Sequence, residues 1–298
     1  MTLTIAVFTK NRANPAYEGA RIGADRVAAA HGARTIHYVP ESPDDVEEQR
    51  ALVARAIKAR PDAAVFVPVH ETAVNDAVLA LNAAGIPLFN LIAPTTAGER
   101  VTFVGSDDRA LAAALAAYLS DALGGTARVV VLEGNPASPT TPQRLAGIRE
   151  GLTRSGTLAI VASLRGDYLR DVAARETARL LASGLEFDAV IAANDSMALG
   201  VLDAMAEKQL VRPVVGINAI PEAVAAIGDG RLLATASFDA MKMACIATEA
   251  AVRHLRGETV PARITLPVQI VDRSNWTEWN KPYESRALPS WNDVMRYR

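Results

Sequence analysis

The sequence predicts an α/β protein built as two doubly wound lobes with parallel-rich sheets. Three observations carry the prediction. Short apolar runs alternate with longer amphipathic stretches almost throughout the 298 residues. Buried parallel strands covered by helices on both faces produce that pattern. Hydrophobic residues make up 50% of the chain, and 31 basic side chains face 33 acidic ones. This excludes disorder and collagen-like repetition and leaves ample core for one or two domains. The chain also repeats weakly. Ile5 and Val131 lie in strands opening two similar units, Pro61-Asp62-Ala63 answers Phe187-Asp188-Ala189, and Ile86-Pro87 answers Arg212-Pro213. All three pairs share an offset of 126 residues (131 minus 5, 188 minus 62, 213 minus 87). Two α/β lobes of one plan explain this better than a single large sheet.

In chain order, the apolar run Leu3–Phe8 predicts the first strand, and Pro15–His31 the first helix, with Asn14 suited to the N-cap and Pro15 to the first helical position. Strand Thr35–Val39, helix Asp44–Ala59, strand Ala63–Val67, helix Thr72–Ala84, strand Pro87–Asn90 and helix Asp107–Leu123 follow. Strands Arg128–Leu132, Ala159–Ser163, Ala189–Ala192 and Val214–Ile217 belong to the second unit. Its first helix is expected to take Thr141 as cap and Pro142 as opening residue. Plausible joints lie at Gly105-Ser106-Asp107, Ser237-Phe238-Asp239 and Thr265-Leu266-Pro267. All three tryptophans, Trp276, Trp279 and Trp291, fall after residue 275, and that tail reads as irregular chain docked by its aromatics.

Several function classes are excluded or disfavoured. A net charge of −2 gives no broad basic field for nucleic acid. The apolar stretch Ala110 to Leu119 is too short to span a bilayer and reads as a packed helix. Met1-Thr2-Leu3-Thr4 runs straight into a strand, without the basic stretch and apolar core of a secretion signal. The protein is thus expected to be either cytosolic or exported and trimmed. The single cysteine, Cys245, reads as a buried small residue. His31, His37, His70 and His254 lack metal-site spacing, and no phosphate loop, dinucleotide turn or nucleophile elbow is found. No cofactor and no metal are expected.

The informative polar residues stand at strand ends, where open α/β sheets gather ligands. The run Thr9-Lys10-Asn11-Arg12-Ala13-Asn14-Pro15-Ala16-Tyr17 leaves the first strand, and Asn11, Arg12, Asn14 and Tyr17 are its candidates. Asn90 closes the fourth strand, Arg144 enters the first turns of the second unit's helix, and Asn194-Asp195 and Asn218 end two later strands. Amides, a carboxylate and a guanidinium satisfy buried hydroxyls, and an aromatic face suits the C–H face of a sugar ring.

Three segments now resemble the type I periplasmic sugar-binding proteins, the ribose-binding-like solute receptors of ABC importers. They are Asn14-Pro15-Ala16-Tyr17-Glu18-Gly19, Asn194-Asp195-Ser196-Met197-Ala198-Leu199-Gly200 and Val214-Val215-Gly216-Ile217-Asn218. Gly85-Ile86-Pro87, Val104-Gly105-Ser106-Asp107-Asp108 and Arg144-Leu145-Ala146-Gly147-Ile148 support them in family order. The resemblance runs from residue 3 to about 272. It implies two lobes joined by a three-crossover hinge, residues 1–106 with 239–265 and 107–238 with 266–275, leaving 276–298 as the tail. It further implies ligand in the cleft between lobes, hinge closure, a membrane permease as partner, a monomer, and a periplasmic location after removal of a leader. Asn14, Tyr17, Arg144, Tyr168, Asn194 and Asn218 are implied to face the cleft, and Phe238 stands where pentose binders commonly carry a polar residue.

Departures bear on the ligand. Leu91-Ile92-Ala93 runs where pentose binders of this type often carry an Asp-Arg pair, the position of Asn218 is commonly Asp, and position 16, often aromatic in the family, is Ala. Arg12 and Arg144, opposed mainly by Asp195, make the site lean positive. A neutral sugar or polyol is the expected ligand, with a sugar acid as the alternative, and ribose is not expected. Arg144→Ala is expected to weaken binding with little loss of stability. Two other readings remain open from the residues. The effector core of a lac-repressor-like regulator would carry about 60 residues of helix-turn-helix before the first strand, and an enzyme acting on sugars would use Asp195 as its base.

Overall fold

Residues 2–154 and 158–296 are described by a computed structural model. The chain begins β1 (Thr4–Phe8), α1 (Pro15–Ala30), β2 (Arg34–Tyr38), α2 (Val46–Ala59), β3 (Ala63–Phe66), α3 (Asn75–Ala83), β4 (Leu88–Leu91) and β5 (Thr102–Gly105). It continues with α4 (Asp108–Leu123), β6 (Ala127–Glu133), α5 (Thr140–Arg154), β7 (Leu158–Arg165), α6 (Arg170–Ala182), β8 (Ala189–Ala192), α7 (Asp195–Glu207), β9 (Val214–Ile217), α8 (Pro221–Gly228) and β10 (Ala234–Ser237). Last come α9 (Ala240–Leu255), β11 (Arg263–Thr265), β12 (Gln269–Asp272), α10 (Trp276–Trp279), a 3-10 turn at Tyr283–Ser285 and α11 (Trp291–Met295).

Two units divide this chain. The first takes the residues up to Ser106, Asp239–Pro267 and the chain from Tyr283 onward; the second takes Asp107–Phe238 and Val268–Pro282. The first unit's sheet runs β11-β5-β4-β3-β1-β2 with every pairing parallel. Its inner strands β1, β3, β4 and β5 are buried throughout, which is why they read as unbroken apolar runs. One face packs Phe8, Phe66 and Leu88 against Val53, Val78 and Leu81 of α2 and α3. Helices α1 and α9 pack on each other, closely enough that a Cβ on Gly23 would stand 2.8 Å from the Met241 carbonyl oxygen.

The second unit's sheet runs β12-β10-β9-β8-β6-β7, parallel except for β12, which is antiparallel to β10. Helix α4 packs on α5 and α6 on α7, again through glycine. A Cβ on Gly147 or Gly151 would stand 2.1 Å from the Arg109 carbonyl oxygen or 2.4 Å from that of Ala113, and one on Gly200 2.2 Å from that of Arg170.

The internal repeat is visible in hydrogen bonds. In the first unit the Thr4 and Asp62 amides bond across β1 and β3, Thr4 N–H to Asp62 Oδ2 (2.7 Å) and Asp62 N–H to the Thr4 carbonyl (2.8 Å). Arg128 and Asp188 repeat both bonds at 2.8 Å. The register corrects one of the three sequence pairs: Ala63 stands opposite Ile5, whereas Ala189 stands opposite Val129, not Val131. Ile5 and Val129 are 124 apart (129 minus 5), so the second unit spends two more residues between its first and third strands. Arg128 adds side-chain bonds to Asp188, and they push the Asp188 carboxyl down to about 2. A depressed carboxyl stabilises the fold above its unfolded pKa of about 3.9 and stops doing so as pH falls through about 2. Asp188→Asn is therefore expected to lower the urea midpoint at pH 7, with the difference from wild type narrowing between pH 4 and 2. An unchanged midpoint at pH 7 would remove the clamp from the fold's support.

Other differences from expectation are local. Helix α5 begins at Thr140, so Thr141 lies inside it and its hydroxyl donates to the Asn135 carbonyl (2.6 Å) instead of capping. Pro142 is tolerated there because N–H groups of a helix's first turn have no intrahelical partner. The tail is divided. Up to Pro282 it belongs to the second unit, where the Trp276 ring covers Gly228 beneath the Arg273 guanidinium (5.7 Å). From Tyr283 it belongs to the first, where Arg26 donates to the Tyr283 and Arg286 carbonyls (2.8 and 2.7 Å). The chain thus changes unit after Ser106, Phe238 and Pro267 and once more after Pro282, beyond the three expected crossovers. Residues 297 and 298 of the tail lie outside the described residues. Cys245 is buried against α1, and burial pushes its thiol up to about 12.

Candidate functional site

In the second unit, the chain leaving β7, β8 and β10 meets Arg144 through Tyr168, Ala193 and Phe238. Arg144 is 3% exposed. Its Nε donates to Asp108 Oδ1 (2.7 Å) and its Nη1 to the Ala193 carbonyl (2.6 Å). The Phe238 ring lies 4.9 Å from the guanidinium carbon and the Tyr168 ring 5.8 Å, both within cation–π range. Asp108 opens α4, with Asp107 as N-cap accepting from Ala110 N–H (2.9 Å). A carboxylate at a helix N-terminus is favoured by the dipole, so the fold places an anion where Arg144 needs one.

Tyr168 follows β7 in a left-handed turn, with Asp167 at φ 53 and Tyr168 at φ 64. Its hydroxyl lies 2.9 Å from Thr140 Oγ1 and 3.0 Å from Thr141 Oγ1, and its ring lies over Gly134, where a Cβ would come within 2.1 Å. Asn194 caps α7 through Met197 N–H (2.9 Å) and donates to the Tyr168 carbonyl (3.1 Å), tying two strand exits together. Asn218 leaves β9 at φ 132 with its side-chain Oδ1 buried and lacking a hydrogen-bond partner among the described residues.

In the first unit, the exit of β1 is a hydrogen-bonded loop. Asn14 caps α1 through Ala16 N–H (3.0 Å). Asn11 accepts from Asn14 N–H (2.9 Å) and donates to Asp44 (3.1 Å). Arg21 reaches back from α1 to Thr9 Oγ1 (3.0 Å) and the Asn11 carbonyl (3.3 Å). Tyr17 is half-buried in the first turn of α1, one turn before Arg21, and Arg12 is exposed. Lys10, unremarked as a candidate, is buried at the strand's end.

Two candidates need correction. Asn90 is wholly buried and its amide holds the turn after β4: Nδ2 donates to the Phe66 and Ala93 carbonyls (3.1 and 2.8 Å), and Oδ1 accepts from Thr95 N–H (3.0 Å). That turn forces Ile92 to φ 71, a costly conformation for a β-branched residue, which accounts for Asn90 being spent there. Asp195 is likewise wholly buried, its two oxygens accepting from Thr235 Oγ1 (2.6 Å) and Ile220 N–H (3.0 Å). The positive lean read from the sequence is also revised, because the buried anion opposing Arg144 at hydrogen-bond distance is Asp108. Sequence reasoning passed over Asp108 as a site residue, although it stood in a quoted motif directly after a helix cap. Among the described residues, no group of three or more His, Cys, Asp or Glu is placed to hold a metal, and no helix is long and apolar enough to cross a membrane.

Polar side chains planted at the carboxyl ends of parallel strands, on two units of one plan, define a solute-binding protein. The chain belongs to the periplasmic binding protein family, whose domain model matches residues 5–259. This family consists of solute receptors and not of enzymes. The ribose import binding protein of Bacillus subtilis is 29% identical over 269 residues, covering 90% of this chain and 86% of that protein. An ABC transporter periplasmic solute-binding protein from Actinobacillus succinogenes 130z, solved with bound D-allose, superposes with a TM-score of 0.88 at 26% identity, covering 93% of this chain and 99% of that one. An ABC transporter solute-binding protein from Bacillus halodurans C-125 with bound myo-inositol gives a TM-score of 0.83 at 26% identity, covering 94% and 97%.

Proposed function

We propose that this chain binds one small, neutral sugar or polyol and delivers it to the permease of an ABC importer, as a monomer on the outer side of the cytoplasmic membrane. The observation that carries neutrality is the Arg144–Asp108 pair: the buried cation is balanced within its own unit. In the second unit a cluster of amides, hydroxyls, rings and a neutralised guanidinium offers hydrogen bonds without net charge, which suits hydroxyl groups better than a carboxylate. The ligands named for the relatives, ribose, D-allose and myo-inositol, are polyhydroxylated and uncharged. We assign the contacts to Asn11, Arg12, Asn14 and Tyr17 of the first unit and to Arg144, Tyr168, Asn194, Asn218 and Phe238 of the second, leaving out Asn90 and Asp195.

A thermal-shift panel of pentoses, hexoses, pentitols, inositols and sugar acids tests this reading. Ligand at 100 times its Kd adds about 2.7 kcal/mol, which moves the midpoint of a chain this size by roughly 2–4 °C per kcal/mol. One or more neutral members are expected to raise the midpoint while the acids do not. A response to acids alone would overturn neutrality, and a flat panel would overturn the sugar or polyol assignment.

A further inference from the structure

The Asn-Asp pair that opens α7 divides its work. Asn194 stays with the helix cap and Tyr168, whereas the Asp195 carboxylate points into the unit and is wholly buried. Its Oδ2 accepts from Ile220 N–H (3.0 Å) and its Oδ1 from the Thr235 hydroxyl (2.6 Å), whose oxygen in turn accepts from Ala219 N–H (3.2 Å). Gly216 makes the room, since a Cβ there would lie 2.4 Å from Oδ1. All three bonds serve one turn, in which Asn218 (φ 132) and Ala219 (φ 53) both adopt backbone that L residues avoid. Such conformations persist where the surroundings over-determine them, often at ligand clamps. The side chain this turn presents, Asn218, carries a buried Oδ1 without a donor among the described residues.

We propose that Asp195 is a positioning residue of the binding site: it makes no contact with ligand and sets affinity by clamping the turn that offers Asn218 Oδ1 to a ligand hydroxyl. This rests on the ligand assignment above. Burial pushes the Asp195 carboxyl up to about 6, against the opposing pull of its hydrogen bonds and of Arg144. The residues that meet it from β9, β10 and the turn are Gly216, Thr235 and Ile220, none of which titrates. Arg144 of α5, paired with Asp108 of α4, is the charge acting on it. Protonation replaces an accepting oxygen with an O–H and removes one bond of the clamp. Affinity is expected to fall several-fold as pH drops from 7 to 5. Stability from this group moves the other way: the folded pKa, about 6, lies above the unfolded value of about 3.9, so stability rises as pH falls between them.

Titration calorimetry with D-ribose, D-allose and myo-inositol, beside thermal midpoints, provides the test on wild type, Asp195→Asn, Thr235→Val and Thr235→Ser. Thr235→Val is expected to bind at least tenfold more weakly at temperatures where it is folded, and Thr235→Ser to bind as wild type does. Asp195→Asn is expected to bind weakly and without the pH dependence. Should Asp195→Asn not fold, Thr235→Val and the wild-type pH profile decide. Wild-type affinity in folded Thr235→Val, or a flat wild-type profile between pH 7 and 5, would overturn the proposal. Wild type binding none of the three, with the whole thermal-shift panel flat, would instead sink the ligand assignment, and the proposal with it; where another neutral panel member raises the midpoint, that compound is the probe for the same variants.

Discussion

Arg144→Ala is expected to cost about 3–5 kcal/mol of stability, the range for removing one partner of a buried ion pair, and to abolish measurable sugar binding. This revises the small stability effect anticipated from sequence. The Arg144 and Asp108 side chains are 4% and 9% exposed, so solvent screens the pair little, and truncation strands the Asp108 carboxylate inside the unit. It also removes the donor to the Ala193 carbonyl (2.6 Å) and the cation between the Tyr168 and Phe238 rings. Stability and binding can be separated by replacing the whole pair. Arg144→Met with Asp108→Leu is expected to recover most of the stability, because apolar residues of similar volume substitute well for buried ion pairs, while binding stays lost. Urea denaturation and calorimetry on the single and double variants check both parts. A single variant within about 1 kcal/mol of wild type, the scale of an exposed pair, would show that the pair is not buried as described.

Gly147→Ala is expected to destabilise the second unit by about 3 kcal/mol, the upper part of the range for overpacking. The sign is the informative part, because alanine is the better helix former by about 1 kcal/mol. The Gly147 Cβ would fall 2.1 Å from the Arg109 carbonyl oxygen and 3.0 Å from Ala112 Cβ, both on α4. Neither is the movable end of a long side chain, so the helices must part. Gly125→Ala serves as control, since its Cβ would meet nothing within 4 Å and its backbone is not left-handed. A Gly147→Ala midpoint at or above wild type in urea would mean that α4 and α5 separate at little cost.

The parts of the fold legible in the sequence are those set by neighbours along the chain. Inner strands such as Ala63–Phe66 and Ala189–Ala192 are buried on both faces and so had to be apolar. The Asn14 cap acts two residues ahead. Strand β10 escaped because Ala234-Thr235-Ala236-Ser237 offers no run of large apolar residues, yet its threonine is needed beside Asp195. The pairing of Asp108 with Arg144 spans 36 residues and no periodicity announces it. Whether a polar residue at a strand end faces a ligand or the interior depends on its neighbours in space: Gly216 admits the Asp195 carboxylate, and the strained turn at Ile92 consumes Asn90. The repeat slipped by two because Ile5 and Val131 are both β-branched and apolar, so only strand register could tell them from the true pair.

The interrupted course of the first unit has a consequence for the order in which the molecule is made. Helix α9 packs on α1, β3, β4 and β5, and β11 completes the sheet beside β5. Both lie after residue 238, so the ribosome must produce the 132 residues of 107–238 (238 minus 107, plus 1) before they exist. At about 5–20 residues per second, the newborn first unit waits on the order of ten seconds with the surface meant for α9 bare. The 107–238 stretch, by contrast, emerges as one piece carrying five of its sheet's six strands, β6 to β10. The part of the chain translated first thus waits for α9 and β11, and its exposed apolar face is where a nascent chain of this design needs protection from aggregation.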